Sequence, residues 1–454
     1  MPIESRNPFN GNVEATFDEF TPKETRATLD AVAAAWPAWR DRSFARRGEI
    51  LLEAARVLRE RRDGLAVIMA KEMGKPVRQG RGEVEKCASV CEFYARNAEA
   101  MLATEPVAGV GDSACVMYQP QGTVLAVMPW NFPFWQVFRI AAPSLMAGNC
   151  MVLKHASNVP QCALAVEEIF RDAGLPAHVF RTLLIGAGQV EAVLDHASVI
   201  GVSLTGSDAA GRKVAAAAGA RLKKSVMELG GSDAFIVLAD ADLDKAAGVA
   251  ALSRCGNTGQ TCIAAKRFIV LESVFNPFVS RLSAQMSALR MGDPLDEATD
   301  MGPMSAARLR EDLRDQVRRC QEAGGKVLLG GEAPEGPGFF YPPTILADVP
   351  PSASVCQEEF FGPVALLFRV ADAEEAVALA NATPFGLGGS VWTANVDAGL
   401  ALAARIRCGA VFVNGLVRSD ANLPFGGTGA SGFGRELSVN GIREFVNVKS
   451  VCVG

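Results

Sequence analysis

From Gly122 onward the chain alternates short apolar runs with stretches of helical spacing, and that alternation restricts it to a parallel sheet within an α/β layer. Residues 124–127, 151–153, 199–202 and 235–238 predict strands, with helical patterns such as 163–173 between them. The series resumes at 268–271, 326–329 and 409–413, so the natural division falls near Glu228 and leaves two α/β units. A length of 454 residues, long for a single core, agrees with more than one domain.

The front of the chain reads differently. Thr21-Pro22-Lys23-Glu24 is a capping box with proline at the first helical position, and Leu29, Val32, Ala33 and Trp36 continue it as an apolar helical stripe. Two further helical stretches are expected at about 43–72 and 81–103, with little chemistry in any of them. Around Gly111-Asp112-Ser113, residues 105–121 predict a β-hairpin, suited either to a subunit contact or to a plain surface.

Composition excludes several classes. A net charge of −5 argues against nucleic acid as a partner. No apolar run is long enough to span a membrane, and the N-terminal run Met1-Pro2-Ile3-Glu4-Ser5-Arg6 lacks a signal peptide's apolar segment, so the cytoplasm is the expected compartment. The 11 cysteines are scattered without zinc-ribbon spacing; no metal is expected, and Cys87 and Cys91, four apart on a helix, read as packing residues.

Cys262 stands out among small and polar neighbours in Asn257-Thr258-Gly259-Gln260-Thr261-Cys262-Ile263-Ala264-Ala265. The chain holds only three histidines, so a cysteine nucleophile here takes its base from a carboxylate, and Glu228, before Gly230-Gly231, is the candidate. Asn131, in Pro129-Trp130-Asn131-Phe132-Pro133 just past a strand, could aim a rigid amide at a developing oxyanion or simply bond its own turn. Thr205-Gly206-Ser207 opens a helix where phosphate could sit, or is an ordinary strand-to-helix turn. Lys154 ends a strand, and Glu358-Glu359-Phe360-Phe361-Gly362-Pro363 and Pro424-Phe425-Gly426-Gly427 are further polar or glycine-rich loops.

Taken together, in this order and spacing, these segments resemble the aldehyde dehydrogenase superfamily over essentially the whole chain. The resemblance implies a dinucleotide-binding domain from 1–104 and 122–227, a catalytic domain from 228–425, and a small β oligomerisation element with the C-terminal segment from 105–121 and 426–454. It implies a homodimer or homotetramer, Cys262 as nucleophile, Glu228 as base and Asn131 as oxyanion donor. NAD or NADP would be held by Trp130, Lys154, Ser157, Gly206, Ser207, Leu229, Glu359 and Phe361.

Within the superfamily, 153–160, 228–233 and 431–438 are most similar to bacterial succinate-semialdehyde dehydrogenases. That similarity assigns Arg139, Ser419 and Phe425 to the aldehyde substrate, with Arg418 in place of a second arginine whose position holds Gly256. Ser157 stands where many NAD-using relatives carry a glutamate, which makes NADP acceptable. Ala264 replaces a second cysteine found in some relatives, so no local disulfide is expected at Cys262. The lysine many relatives place in 426–432 is missing, and nothing in the sequence explains that loss. The competing expectations are another short aldehyde, such as glutarate semialdehyde or an aliphatic one, and a cysteine hydrolase or acyltransferase, which would need a histidine beside Cys262.

Overall fold

The strand Cys150–His155 is buried at every position, as a strand covered on both faces must be. In the computed structural model, which describes residues 2–454, it belongs to a six-stranded sheet. The spatial order is Gly432–Phe433, Lys224–Glu228, Val199–Thr205, Thr123–Met128, Cys150–His155, Phe180–Thr182. All pairings are parallel except that of the short strand Gly432–Phe433. Met1, part of the N-terminal run read above, lies outside the described residues.

The chain leaves this sheet after Glu228 and enters a second, seven-stranded one at Asp233. Its order is Lys326–Leu329, Thr344–Ala347, Val364–Val370, Ala265–Leu271, Asp233–Val237, Gly388–Trp392, Ala410–Val413. The run at Lys326–Leu329, grouped above with the parallel series, is an antiparallel edge strand. Between it and Thr344–Ala347 lies a stretch rich in glycine and proline with no helix, and without a crossover helix the chain returns antiparallel.

The expected capping box is present: the Glu24 N–H donates to Thr21 Oγ1 at 3.2 Å and the Thr21 N–H donates to Glu24 Oε2 at 2.8 Å. The single helix expected over 43–72 is two, Phe44–Glu60 and Arg62–Met73. Leu51, Ala54, Ala55 and Leu58 form a buried stripe whose next helical positions are Arg61 and Arg62, so the chain turns there to bring Leu65, Ala66 and Met69 into the core.

The expected hairpin is formed by Glu105–Val107 and Ser113–Pro120. The strand Val446–Val453 adds to its other side along the full length of Ser113–Pro120, making a separate three-stranded sheet. The segment after residue 426 is therefore shared: Gly432–Phe433 extends the six-stranded sheet and Val446–Val453 completes the small one.

Helix Trp135–Met146 is buried on all sides. Its single charge, Arg139, is paired inside the protein with Glu436. Among the described residues no helix is long and apolar enough to cross a membrane.

Candidate active site

Helix Leu243–Cys255 ends at Gly256, and the next three residues take left-handed backbone: Asn257 at φ 53°, Thr258 at φ 56° and Gly259 at φ 72°. For the β-branched Thr258 this conformation costs on the order of 1–3 kcal/mol. It is held by side-chain bonds. Thr258 Oγ1 donates to the Gly302 carbonyl at 3.0 Å, Asn257 Nδ2 to the Asn131 carbonyl at 2.8 Å, and Gln260 Oε1 accepts the Ser305 N–H at 2.9 Å. Gly259 admits no other residue, because an added Cβ would lie 2.3 Å from the Gly362 backbone. The turn delivers Cys262 in a half-buried position just before strand Ala265–Leu271.

The buried ammonium of Lys266 donates to the Cys262 carbonyl at 2.6 Å and to the Thr261 carbonyl at 3.0 Å. Burial pushes the Cys262 thiol up to about 12, while Lys266 and then Arg139 pull it back. A base is therefore needed to make the thiolate.

Asn131 does not spend its amide on its own turn. Its Nδ2 donates to the Gln260 carbonyl at 3.0 Å, so it sits directly beside the cysteine segment. Its backbone carbonyl accepts from Lys75 Nζ at 2.9 Å. Lys75 is fully buried and ion-paired with Glu83, whose Oε1 accepts the N–H groups of Phe134 and Trp135, both at 2.9 Å. Those N–H groups belong to the start of helix Trp135–Met146, where a carboxylate is favoured.

Glu228 closes strand Lys224–Glu228 and is buried, with neither carboxyl oxygen hydrogen-bonded among the described residues. Burial, then the negative charge of Glu436, raises its pKa well above the ordinary carboxylate range, against the pull of Arg139 and Arg435. Gly426 gives it room, since a Cβ there would stand 2.7 Å from Glu228 Oε1. Gly231, three residues on, lies against the Cys262 carbonyl, which a Cβ there would approach to 2.7 Å.

The residues expected to hold a dinucleotide line up along the carboxyl ends of four neighbouring parallel strands. Trp130 follows Thr123–Met128, Lys154 and Ser157 end Cys150–His155, Gly206 and Ser207 follow Val199–Thr205, and Leu229 follows Lys224–Glu228. Ser207 caps helix Asp208–Ala220, its Oγ accepting the Ala210 N–H at 3.3 Å. Ser157 is exposed, and Lys154, largely buried, has its pKa lowered by that burial. Glu359 and Phe361 come from the second sheet's side. Phe361 meets Trp130 edge-on at 5.7 Å, and Glu359 Oε1 accepts from the Gly231 N–H at 3.1 Å and faces Lys266 Nζ at 3.2 Å. Gly230 leaves room for this carboxylate, since a Cβ would come within 2.3 Å of Glu359 Oε2 and displace it. A helix N-terminus and a lysine at the carboxyl ends of neighbouring strands, with a carboxylate from the second sheet's side, are groups that fit phosphate and ribose.

A cavity of about 610 Å³ opens beside the cysteine, lined by Phe132, Thr261, Ile263, Lys86, Arg418 and Ser419 among others. Arg418 is exposed at its mouth and Ser419 is buried. Arg139 is not in its lining. Besides its ion pair with Glu436, Arg139 donates to Thr205 Oγ1 at 3.1 Å and lies over the Phe425 ring at 4.6 Å. The front segment, read above as carrying little chemistry, supplies Lys75, Glu83 and Lys86 to this region. The only trace in the sequence is a charge at helical spacing among apolar residues, as at Glu83 and Lys86 beside Val84, Cys87 and Val90.

The three histidine rings are engaged elsewhere. His155 bonds the Pro133 carbonyl, His178 lies against Arg181, and His196 lies between Asp30 and Ser198. Cys87 and Cys91 are buried packing residues.

The sequence model of the aldehyde dehydrogenase family matches residues 1–451. A probable NADP-dependent succinate-semialdehyde dehydrogenase of Synechocystis sp. is 51% identical over 453 residues, with both chains covered completely. Among solved structures, that of Gox0499, studied for cofactor and substrate selection, superposes with a TM-score of 0.99 at 43% identity and complete coverage of both chains. The succinic semialdehyde dehydrogenase of Streptococcus pyogenes, solved with NADP+, gives 0.97 at 38% identity over 99% of each chain.

Proposed function

We propose, because this chain belongs to the aldehyde dehydrogenase family, that it oxidises succinate semialdehyde to succinate with NADP as the electron acceptor. The observation that carries the reading is the state of three residues. Cys262 sits on a rigid turn, the Asn131 amide is tied beside it, and the Glu228 carboxyl is left without a hydrogen-bond partner.

Glu228 in its ionised form takes the thiol proton of Cys262, through water where the two do not touch. The thiolate attacks the aldehyde carbon, and the new C–S bond leaves a negative oxygen for Asn131 Nδ2–H and the Cys262 N–H to hold; one such donor is worth about 3 kcal/mol. Lys154, Ser157, Gly206, Ser207, Glu359 and Phe361 would hold the dinucleotide, which when bound accepts the hydride from that carbon and so leaves a thioester on Cys262. Glu228 passes the first proton to solvent and then removes one from water, the hydroxide adds to the thioester carbon, the C–S bond breaks to return the Cys262 thiolate, and the acid leaves. Ser157 supports NADP because it puts no carboxylate where a 2′-phosphate would sit.

Residues 1–104 and 122–227 form the dinucleotide-binding part on this reading, and 228–425 the catalytic part. The three-stranded sheet pairs subunits into a homodimer or homotetramer, a role supported by the exposed valines Val107, Val448, Val451 and Val453 on its strands. The expected compartment is the cytoplasm. A panel of aldehydes assayed with NAD and NADP, read by nicotinamide absorbance, gives the highest kcat/KM for succinate semialdehyde with NADP. A preference for aliphatic aldehydes would overturn the substrate.

A further inference from the structure

A half-buried ammonium without an ion-pair partner needs an explanation, and Lys86 is one. It projects from helix Val77–Met101 into the cavity beside Cys262. Its Nζ donates to Ser419 Oγ at 2.6 Å and lies over the Trp135 ring at 4.0 Å, and it forms no ion pair among the described residues. The other nearby charges, Arg418 excepted, are already committed. Glu83, one turn back on the same helix, is paired with Lys75. Arg139 is balanced by Glu436, and Arg78, also in the cavity wall, donates to Asp300 at 2.7 Å. Arg418 forms no ion pair among the described residues but is exposed at the mouth, where water screens it. The cavity thus holds one partly desolvated ammonium without an ion-pair partner beside a buried hydroxyl, an arrangement that favours an incoming carboxylate.

We propose that Lys86, with the Ser419 hydroxyl, docks the carboxylate of the substrate and sets the preference for aldehydes that carry an acid at the far end. Arg139 is then a positioning residue, holding Phe425, Thr205 and Glu436 in place. The inference rests on the substrate reading given above.

The pH dependence follows from the same surroundings. Burial, then the charge of Arg139 on the neighbouring helix, lowers the Lys86 pKa to about 8, while Cys87 and Glu83 on its own helix and Asp420 from the facing loop raise it. Succinate semialdehyde must therefore bind less well as pH rises through that value, and an uncharged aldehyde must not follow.

The test is kcat/KM for succinate semialdehyde and for butanal, with NADP, in wild type, Lys86→Met and Lys86→Arg. Loss of a charge-assisted bond lowers the ratio of the two in Lys86→Met by about 10- to 100-fold. The alkaline fall in succinate semialdehyde use disappears in that variant, and Lys86→Arg restores most of the ratio. Lys86→Gln replaces Lys86→Met if the latter does not fold. An unchanged ratio in a wild type that prefers succinate semialdehyde overturns the role of Lys86 alone. A wild type that prefers butanal overturns the substrate reading, and the docking role with it.

Discussion

The side-chain amide of Asn131 reaches the carbonyl of Gln260 at 3.0 Å, and this one bond ties the loop after a strand of the six-stranded sheet to the turn that carries Cys262. The proposed oxyanion donor and the proposed nucleophile are thus registered against each other before any substrate arrives.

Asn131→Ala removes the donor and its tether together. We expect kcat to fall by roughly a hundred- to a thousandfold, the loss typical of one oxyanion donor. The dissociation constant for NADP, measured by fluorescence titration, should hardly move. An equal loss of cofactor affinity would mean that the asparagine supports the crevice and not the reacting oxygen.

Glu228→Gln keeps the shape and removes the base. The variant should acylate slowly and then stop, leaving an acyl-enzyme that intact mass spectrometry detects. Its stability should change with pH as well. The folded-state pKa of Glu228 lies above the unfolded one, so the buried group contributes fully only below about pH 4 and its contribution is lost as pH rises through the folded value. Glu228→Gln should consequently melt above wild type in alkaline buffer and close to it in acid.

Lys75→Met strands the buried Glu83 carboxylate, and the expected cost is about 3–5 kcal/mol of stability. Lys75→Met with Glu83→Leu should recover much of the melting temperature but not kcat, because the Asn131 carbonyl still lacks the Lys75 donor. Recovery of both would show that the pair serves the fold only.

Ser157→Glu places a negative charge beside Lys154 at the end of strand Cys150–His155. The ratio of kcat/KM with NADP to that with NAD should drop at least about tenfold, since one unfavourable charge contact exceeds 1.4 kcal/mol where solvent is partly excluded. An unchanged ratio would place the 2′-phosphate elsewhere.

Much of this could be read without coordinates because the motifs are local: Cys262, Glu228, Asn131 and the cofactor residues each sit in a short run whose order carries the family resemblance. The strands were legible for a similar reason, as buried parallel strands leave apolar runs. Direction was not, and Lys326–Leu329 shows why: an edge strand reads the same whichever way it pairs. The front helices hid more. Lys75, in the link before helix Val77–Met101, and Glu83 and Lys86, on that helix, look like solvated charges, and only packing against Trp135–Met146 and the 418–420 loop buries the first two and half-buries the third. Arg139 was recognised from its place after Pro133, but its partner Glu436 lies at the other end of the sequence, where no spacing rule connects the two.

That partnership bears on how the protein is made. Arg139 and the strand Lys224–Glu228 are synthesised before Glu436 and the strand Gly432–Phe433, their partners in the fold. A nascent chain halted before that point carries an uncompensated interior charge and an open reactive centre.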